Sequence, residues 1–215
     1  MIKKSRYIVQ IVFLLTFMWL IANKMINGWM IIFAVSMIAA LMLGRIFCGW
    51  ICPMNTLMIP TEWVAKKLGI QTKKIPKILQ TQKWAYILLL LLIPIVIISK
   101  RKGIQMPFLL YFLALSVLFT LRYKSEVWHK YLCPFGILQS LPGRFSRWTE
   151  KVKVDNCIGC RLCESACPAG AVSISYEKKK AKIHSTLCHQ CFNCQEKCPA
   201  DAIFYSKSKD NKELA

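Results

Sequence analysis

The 215-residue sequence predicts an α-helical membrane domain of about four transmembrane helices followed by a small α+β domain built as a pseudo-twofold repeat. Three observations carry that prediction. Hydrophobic residues make up 55% of the chain and mean hydropathy is +0.40, above the roughly 45–50% apolar content of soluble globular domains. The excess gathers before about residue 125, in uncharged stretches suited to a bilayer. After that the composition changes, and two cysteine runs of one spacing follow each other. The division falls between residues 1–149 and residues 150–215.

The first apolar stretch, Tyr7 to Ala22, follows Met-Ile-Lys-Lys-Ser-Arg, an arrangement superficially like a signal peptide. No small-residue cleavage site follows it, so an uncleaved helix is expected. Residues 23–28 read as a short hairpin loop into a second span, Trp29 to about Leu43. A third span runs from Trp84 to Ser99 and a fourth from about Met106 to Leu121. Each is shorter than the roughly 20 residues that cross a hydrocarbon core, so flanking Trp, Tyr and Lys must complete the crossing. Between spans two and three, Thr56 to Leu68 sets apolar residues at helical spacing opposite Glu62, Lys66 and Lys67. An interfacial amphipathic helix and a solvated connector both fit that pattern.

Charge fixes the expected orientation. Residues 1–149 carry 19 Lys and Arg against only Glu62 and Glu126, whereas residues 150–215 carry 11 against 8 acids. Lys3, Lys4 and Arg6, the stretch Arg45–Lys83, and Arg122 with Lys124 all fall on one side of the four spans. Lys100, Arg101 and Lys102 fall on the other and are outnumbered. Basic loops stay inside, so both termini and the second domain are expected on the cytoplasmic side of a bacterial inner membrane, in a multi-pass protein. These cations flank apolar spans, where they meet lipid headgroups, and this argues against nucleic acid as the partner.

Eight of the eleven cysteines stand in two runs, Cys157-x2-Cys160-x2-Cys163-x3-Cys167-Pro168 and Cys188-x2-Cys191-x2-Cys194-x3-Cys198-Pro199. This is the bacterial ferredoxin spacing for [4Fe-4S] clusters: a tight loop points three thiolates at one cubane, and the fourth, past the loop, reaches the other. That logic puts Cys157, Cys160, Cys163 and Cys198 on one cluster and Cys188, Cys191, Cys194 and Cys167 on the second. Each run continues through Pro-Ala into an apolar or β-branched segment, Val172-Ser-Ile174 and Ile203-Phe-Tyr205, a short helix-to-strand pattern given twice. The α+β domain is therefore expected to be ferredoxin-like, with two clusters supplying the cohesion that its small core cannot. Structural zinc takes four ligands as two separated pairs, and disulfides between such close-set cysteines would be strained.

The hydrophobic part adds Cys48-Gly-Trp50-Ile-Cys52-Pro53 and Cys133-Pro134-Phe-Gly136. With the paired runs, these motifs resemble the NapH/NosR-like family of membrane-bound ferredoxins over nearly the whole chain from the second span onward. The resemblance implies several spans, C-x3-C-P motifs near the cytoplasmic face, and electron passage between the quinone pool (menaquinol or ubiquinol) and a redox partner protein. One departure stands out: where the family's second motif has C-x3-C-P, this chain has His129-Lys-Tyr-Leu-Cys133-Pro134. Cys48, Cys52, His129 and Cys133 fall on one side of the expected membrane. Ligation of an additional metal centre, thiol-disulfide chemistry at Cys48 and Cys52, and plain packing all fit them. His184 and His189 read as surface residues.

Two functions follow from the pattern. The first is an electron carrier, the electron-transfer component of a quinol dehydrogenase, needing no catalytic residue and no quinone motif, since such sites are apolar walls with a few polar groups. The second is an accessory or maturation reductase that delivers electrons to a metal or thiol for another respiratory enzyme, with Cys48 and Cys52 at its working end.

Overall fold

The computed structural model describes residues 2–72, 74–102, 108–175 and 179–207. They gather into two compact units, Met1–Cys52 with Leu138–Ala215, and Pro53–Ile137.

In the first unit, helices α1 (Ile2–Ala22) and α2 (Ile26–Leu43) form a hairpin closed by the bond from Met25 N–H to Leu20 O at 2.8 Å. Both are long and apolar enough to cross a membrane. Their outer faces expose Ile8, Ile11, Leu15, Ile31, Val35 and Ile38, an apolar surface far larger than isolated surface hydrophobics provide. Inside the hairpin, Trp29 meets Phe17 edge-on at 4.9 Å between ring centroids and Phe47 at 6.3 Å. Phe47 belongs to a one-turn helix, α3 (Ile46–Trp50). Gly44, at φ +64°, ends α2 in the left-handed region that only glycine adopts freely, and so turns the chain into α3.

The C-terminal part of this unit holds two small antiparallel sheets. Strand β1 (Trp148–Val152) pairs with β4 (Ile203–Lys207), Glu150 lying opposite Tyr205. Strand β2 (Val172–Ile174) pairs with β3 (Ala181–Ile183). Short helices Leu162–Ala166 and Asn193–Glu196 follow the two cysteine loops. Val172, Ala181, Ala202 and Ile203 pack directly against Cys157, Cys163 and Cys194. The apolar interior is thus small and built around thiols, as expected of a domain that relies on metal for cohesion.

The second unit contains α4 (Pro53–Lys67), α5 (Lys83–Arg101), α6 (Phe108–Arg122), α7 (Ser125–Val127) and the start of α8 (Pro134–Gly143). Its core is Met58, Trp128, Leu132 and Cys133, ringed by Phe112, Phe119 and Phe135. Of the four expected spans, the first two reach membrane-crossing length among the described residues. Lys83–Ser99 and Phe108–Arg122 are apolar but shorter, and the 15 residues of α6 rise only about 22 Å. Met106, where the fourth span was expected to begin, lies outside the described residues.

Helix α4 departs from the expected amphipathic pattern. Glu62 turns toward the protein, where it accepts hydrogen bonds from the Ser125 hydroxyl and, at 3.2 Å, from Ser125 N–H, and it pairs with Lys66 at 2.6 Å. Burial raises its pKa, but these bonds and the Lys66 charge outweigh that and hold the carboxyl below its ordinary range. Trp63, Val64 and Leu68 are exposed instead, with the Lys67 ammonium over the Trp63 ring at 5.3 Å.

Candidate metal centre

The two cysteine loops share one backbone shape. Gly159 and Arg161 have φ of +70° and +63°, and their counterparts Gln190 and Phe192 have +54° and +59°. Alternation of right- and left-handed residues turns successive N–H groups to one side, forming a concave nest for an anion. The sulfurs then collect backbone donors, those of Cys167 and Cys198 from equivalent positions four residues on. Ala171 N–H reaches Cys167 Sγ and Ala202 N–H reaches Cys198 Sγ, each at 3.3 Å. Ala181 N–H reaches Cys157 Sγ and Gln190 N–H reaches Cys188 Sγ, each at 3.4 Å. Such bonds stabilise charge on sulfur and raise the potential of an iron-sulfur cluster.

Cys157, Cys160, Cys163 and Cys198 line one cavity, walled by Val152, Ile174 and Ile203. The fourth of these comes from the far end of the second run. In return, Cys167 packs with Cys188 through Ala169, Ala171 and Ile183. Burial pushes the thiol of Cys191 up to about 11 and those of Cys188 and Cys194 further, with neighbouring cysteines adding to the shift. Burial also raises Cys163. Thiolates are therefore expensive here unless metal ions share their charge.

Among the described residues, no three His, Cys, Asp or Glu side chains close in on a single metal ion. A zinc ion draws its sulfurs to about 2.3 Å and so crowds them, whereas a cubane binds each thiolate to a different iron and holds them wider. The donor set, the nests and the cavity all fit [4Fe-4S] clusters.

The second loop is seated on the helices of its own unit. Gly49 in α3 lies so close to it that a Cβ there would stand 2.1 Å from His189 O, and so no other residue fits. Trp50 Nε1 donates to Gln190 O at 2.8 Å, and Arg6 Nη1 donates to Cys191 O and, at 2.7 Å, to Asn193 Oδ1. Gln190 Nε2 donates to Trp148 O at 3.2 Å, and Gln10 Nε2 to Gly49 O at 2.8 Å. Three successive loop carbonyls thus face the helices while N–H groups turn the other way. His189, expected at the surface, is only 1% exposed. The reason is this seating, which covers residues 189 and 190 completely. His184 is exposed as expected, its Nε2 3.2 Å from Ser173 Oγ.

The C-x3-C and H-x3-C motifs end in one and the same turn. Cys52 N–H bonds to Phe47 O and Cys133 N–H to Trp128 O, each at 2.9 Å and each spanning five residues. Each motif then starts a helix with proline at its first position, α4 at Pro53 and α8 at Pro134, where the missing N–H costs nothing. His129 lies in the wide turn Trp128–Leu132 and is buried. Cys133 Sγ accepts the Gly136 N–H at 3.4 Å and so caps α8. Cys48 and Cys52 belong to the first unit, His129 and Cys133 to the second, and all four are buried.

Sequence reasoning missed Arg6, Gly49, Trp50 and Glu150. Glu150, on β1, is 2% exposed, and neither carboxylate oxygen has a hydrogen-bond partner among the described residues. Burial pushes its pKa up to about 7, and the same burial, with Glu150 beside it, pushes Tyr205 to about 12.

Comparison with known proteins bears on the same regions. Residues 28–71 and 105–153 match the 4Fe-4S binding domain, and residues 156–202 match the 4Fe-4S dicluster domain. An uncharacterized protein of Methanocaldococcus jannaschii is 32% identical over 138 residues, covering 62% of this chain and 55% of the relative. The ferredoxin-type protein NapH of Haemophilus influenzae is 28% identical over 142 residues, covering 57% and 48%. The regulatory protein NosR of Pseudomonas aeruginosa is 28% identical over 174 residues, covering 69% of this chain but 23% of its own length. The chain therefore spans about half or less of these curated relatives. Iron-sulfur domains matched on both sides of residue 150, together with relatives of this kind, place the chain in the NapH/NosR-like family of ferredoxin-type proteins.

Proposed function

We propose that the chain is a membrane-bound electron carrier holding two [4Fe-4S] clusters, which relays electrons between the quinone pool and a redox partner protein. The observation that carries this reading is the cavity lined by Cys157, Cys160, Cys163 and Cys198, because it draws its fourth thiol from the other repeat. The clusters, when bound, supply one-electron chemistry at low potential. The protein's own residues hold the thiols, turn backbone N–H groups onto them and exclude water from the second loop. No residue has to move a proton or polarise a substrate.

The ligand sets are Cys157, Cys160, Cys163 and Cys198 for one cluster, and Cys188, Cys191, Cys194 and Cys167 for the other. The matched left-handed residues, and the equivalent N–H···S bonds of Ala171 to Cys167 and Ala202 to Cys198, support a pseudo-twofold repeat in residues 150–215. Residues 1–149 are the bilayer domain, with four spans and both termini on the cytoplasmic side. The contact of Arg6 with the second loop supports one side for the N-terminus and the cysteine domain. Menaquinol or ubiquinol would approach from the lipid.

The test is EPR of anaerobically purified protein in nanodiscs, before and after addition of a reduced quinol analogue. Cluster signals that grow with quinol support the relay. Signals that dithionite produces and quinol never does would move the chain to the accessory reductase, fed from the cytoplasm.

A further inference from the structure

Arg6 is 2% exposed, its Nε has no hydrogen-bond partner, and no carboxylate pairs with it among the described residues. A guanidinium buried without an anion is costly. Yet this one sits on the second cysteine loop, its Nη1 shared between Cys191 O and Asn193 Oδ1. A cubane with four thiolates is net negative, and that is the anion the site otherwise lacks. We propose that Arg6 is the built-in counter-ion of the cluster held by Cys167, Cys188, Cys191 and Cys194, and that it raises the potential of that site selectively. The inference rests on the two-cluster reading above.

The sign follows from charge. Reduction adds one negative charge to an anionic centre, so a nearby buried cation stabilises the reduced form more than the oxidised form. At the first loop the comparable cation is Lys180, whose Nζ donates to Cys157 O but which is only half-buried and therefore screened by solvent. Glu150 is the acid that faces the second loop's thiols, and its ionisation would oppose Arg6. Burial holds that carboxyl protonated below about pH 7, so a potential measured at pH 6 reads Arg6 with little opposition.

The test is an EPR-monitored redox titration of the full-length protein in nanodiscs at pH 6, wild type against Arg6→Gln and Arg6→Lys, with iron content measured on each. Arg6→Gln is expected to lower the reduced-to-oxidised ratio of one component about tenfold at fixed potential, a shift of about 59 mV for one electron. The other component should not move, and Arg6→Lys should restore most of the difference. No shift, or an equal shift of both components, with full iron would overturn the proposal. If Arg6→Gln loses iron, Arg6→Lys decides: a loaded variant near the wild-type midpoint supports a charge role, and its loss of iron overturns one. Wild-type protein that lacks two titrating clusters would instead refute the reading on which the inference rests.

Discussion

The two cysteine loops have one backbone and two environments. In the first, Ile158 is 69% exposed and Cys160 lies at the surface; in the second, the equivalent residue His189 is 1% exposed and Gln190 also 1%. Both keep left-handed residues at matched positions, but Gly159 supplies one at little cost where Gln190 does so with a side chain. The second loop tolerates that because its surroundings hold it: Gln190 is bonded through its side chain to Trp148 O and through its carbonyl to Trp50. Ligand spacing thus fixes the loop's shape, while tertiary contacts decide which loop is shielded and which is presented to solvent.

That comparison can be broken at graded points. Cys194→Ala should have the largest effect: under the proposed ligand sets it removes a ligand of one cluster only, so about four of about eight irons per chain should be lost, read by iron analysis. Loss of all iron would mean that the crossed ligands make the two sites interdependent. Gly49→Ala should cost about 3 kcal/mol, because its Cβ would strike the His189 backbone carbonyl rather than a flexible side chain. A thermal bleach of cluster absorbance measures it, and Ile158→Ala in the exposed loop should change the same midpoint by less than about 0.5 kcal/mol. Equal effects of the two substitutions would erase the difference between the loops.

Glu150 sharpens the comparison through pH. Its folded pKa, about 7, lies above the ordinary 4.5, so the folded state binds the proton more tightly than the unfolded state does. Its contribution to stability is full below about pH 4.5 and is lost as pH rises through 7, amounting to about 3 kcal/mol. Glu150→Gln should flatten that part of the stability–pH profile. A stability–pH profile that is the same in the wild type and in Glu150→Gln would contradict the raised pKa.

The shared shape of the two cysteine loops was legible because the cluster ligation their spacing implies is a local requirement: three thiolates must come from one tight loop. The first two long apolar helices were legible from composition, since apolar residues on all faces have one natural solvent. What covers the second loop was not. Arg6 stands 185 residues from Cys191 and reads as an orientation cation in a basic N-terminus. Trp50 stands 140 residues from Gln190, and nothing local marks Gly49 as the point of approach. Glu150 and His189 sit in polar stretches, where periodicity gives no hint of burial. Glu62 was placed on the solvated face because Lys66 shares its row, whereas its partners on Ser125 come from 63 residues away.

The central claim is two [4Fe-4S] clusters, one in each crossed cysteine set, and it is tested most directly by iron and acid-labile sulfide on anaerobically purified full-length protein. The account predicts about eight of each per chain. About four of each, or iron without sulfide, would contradict it.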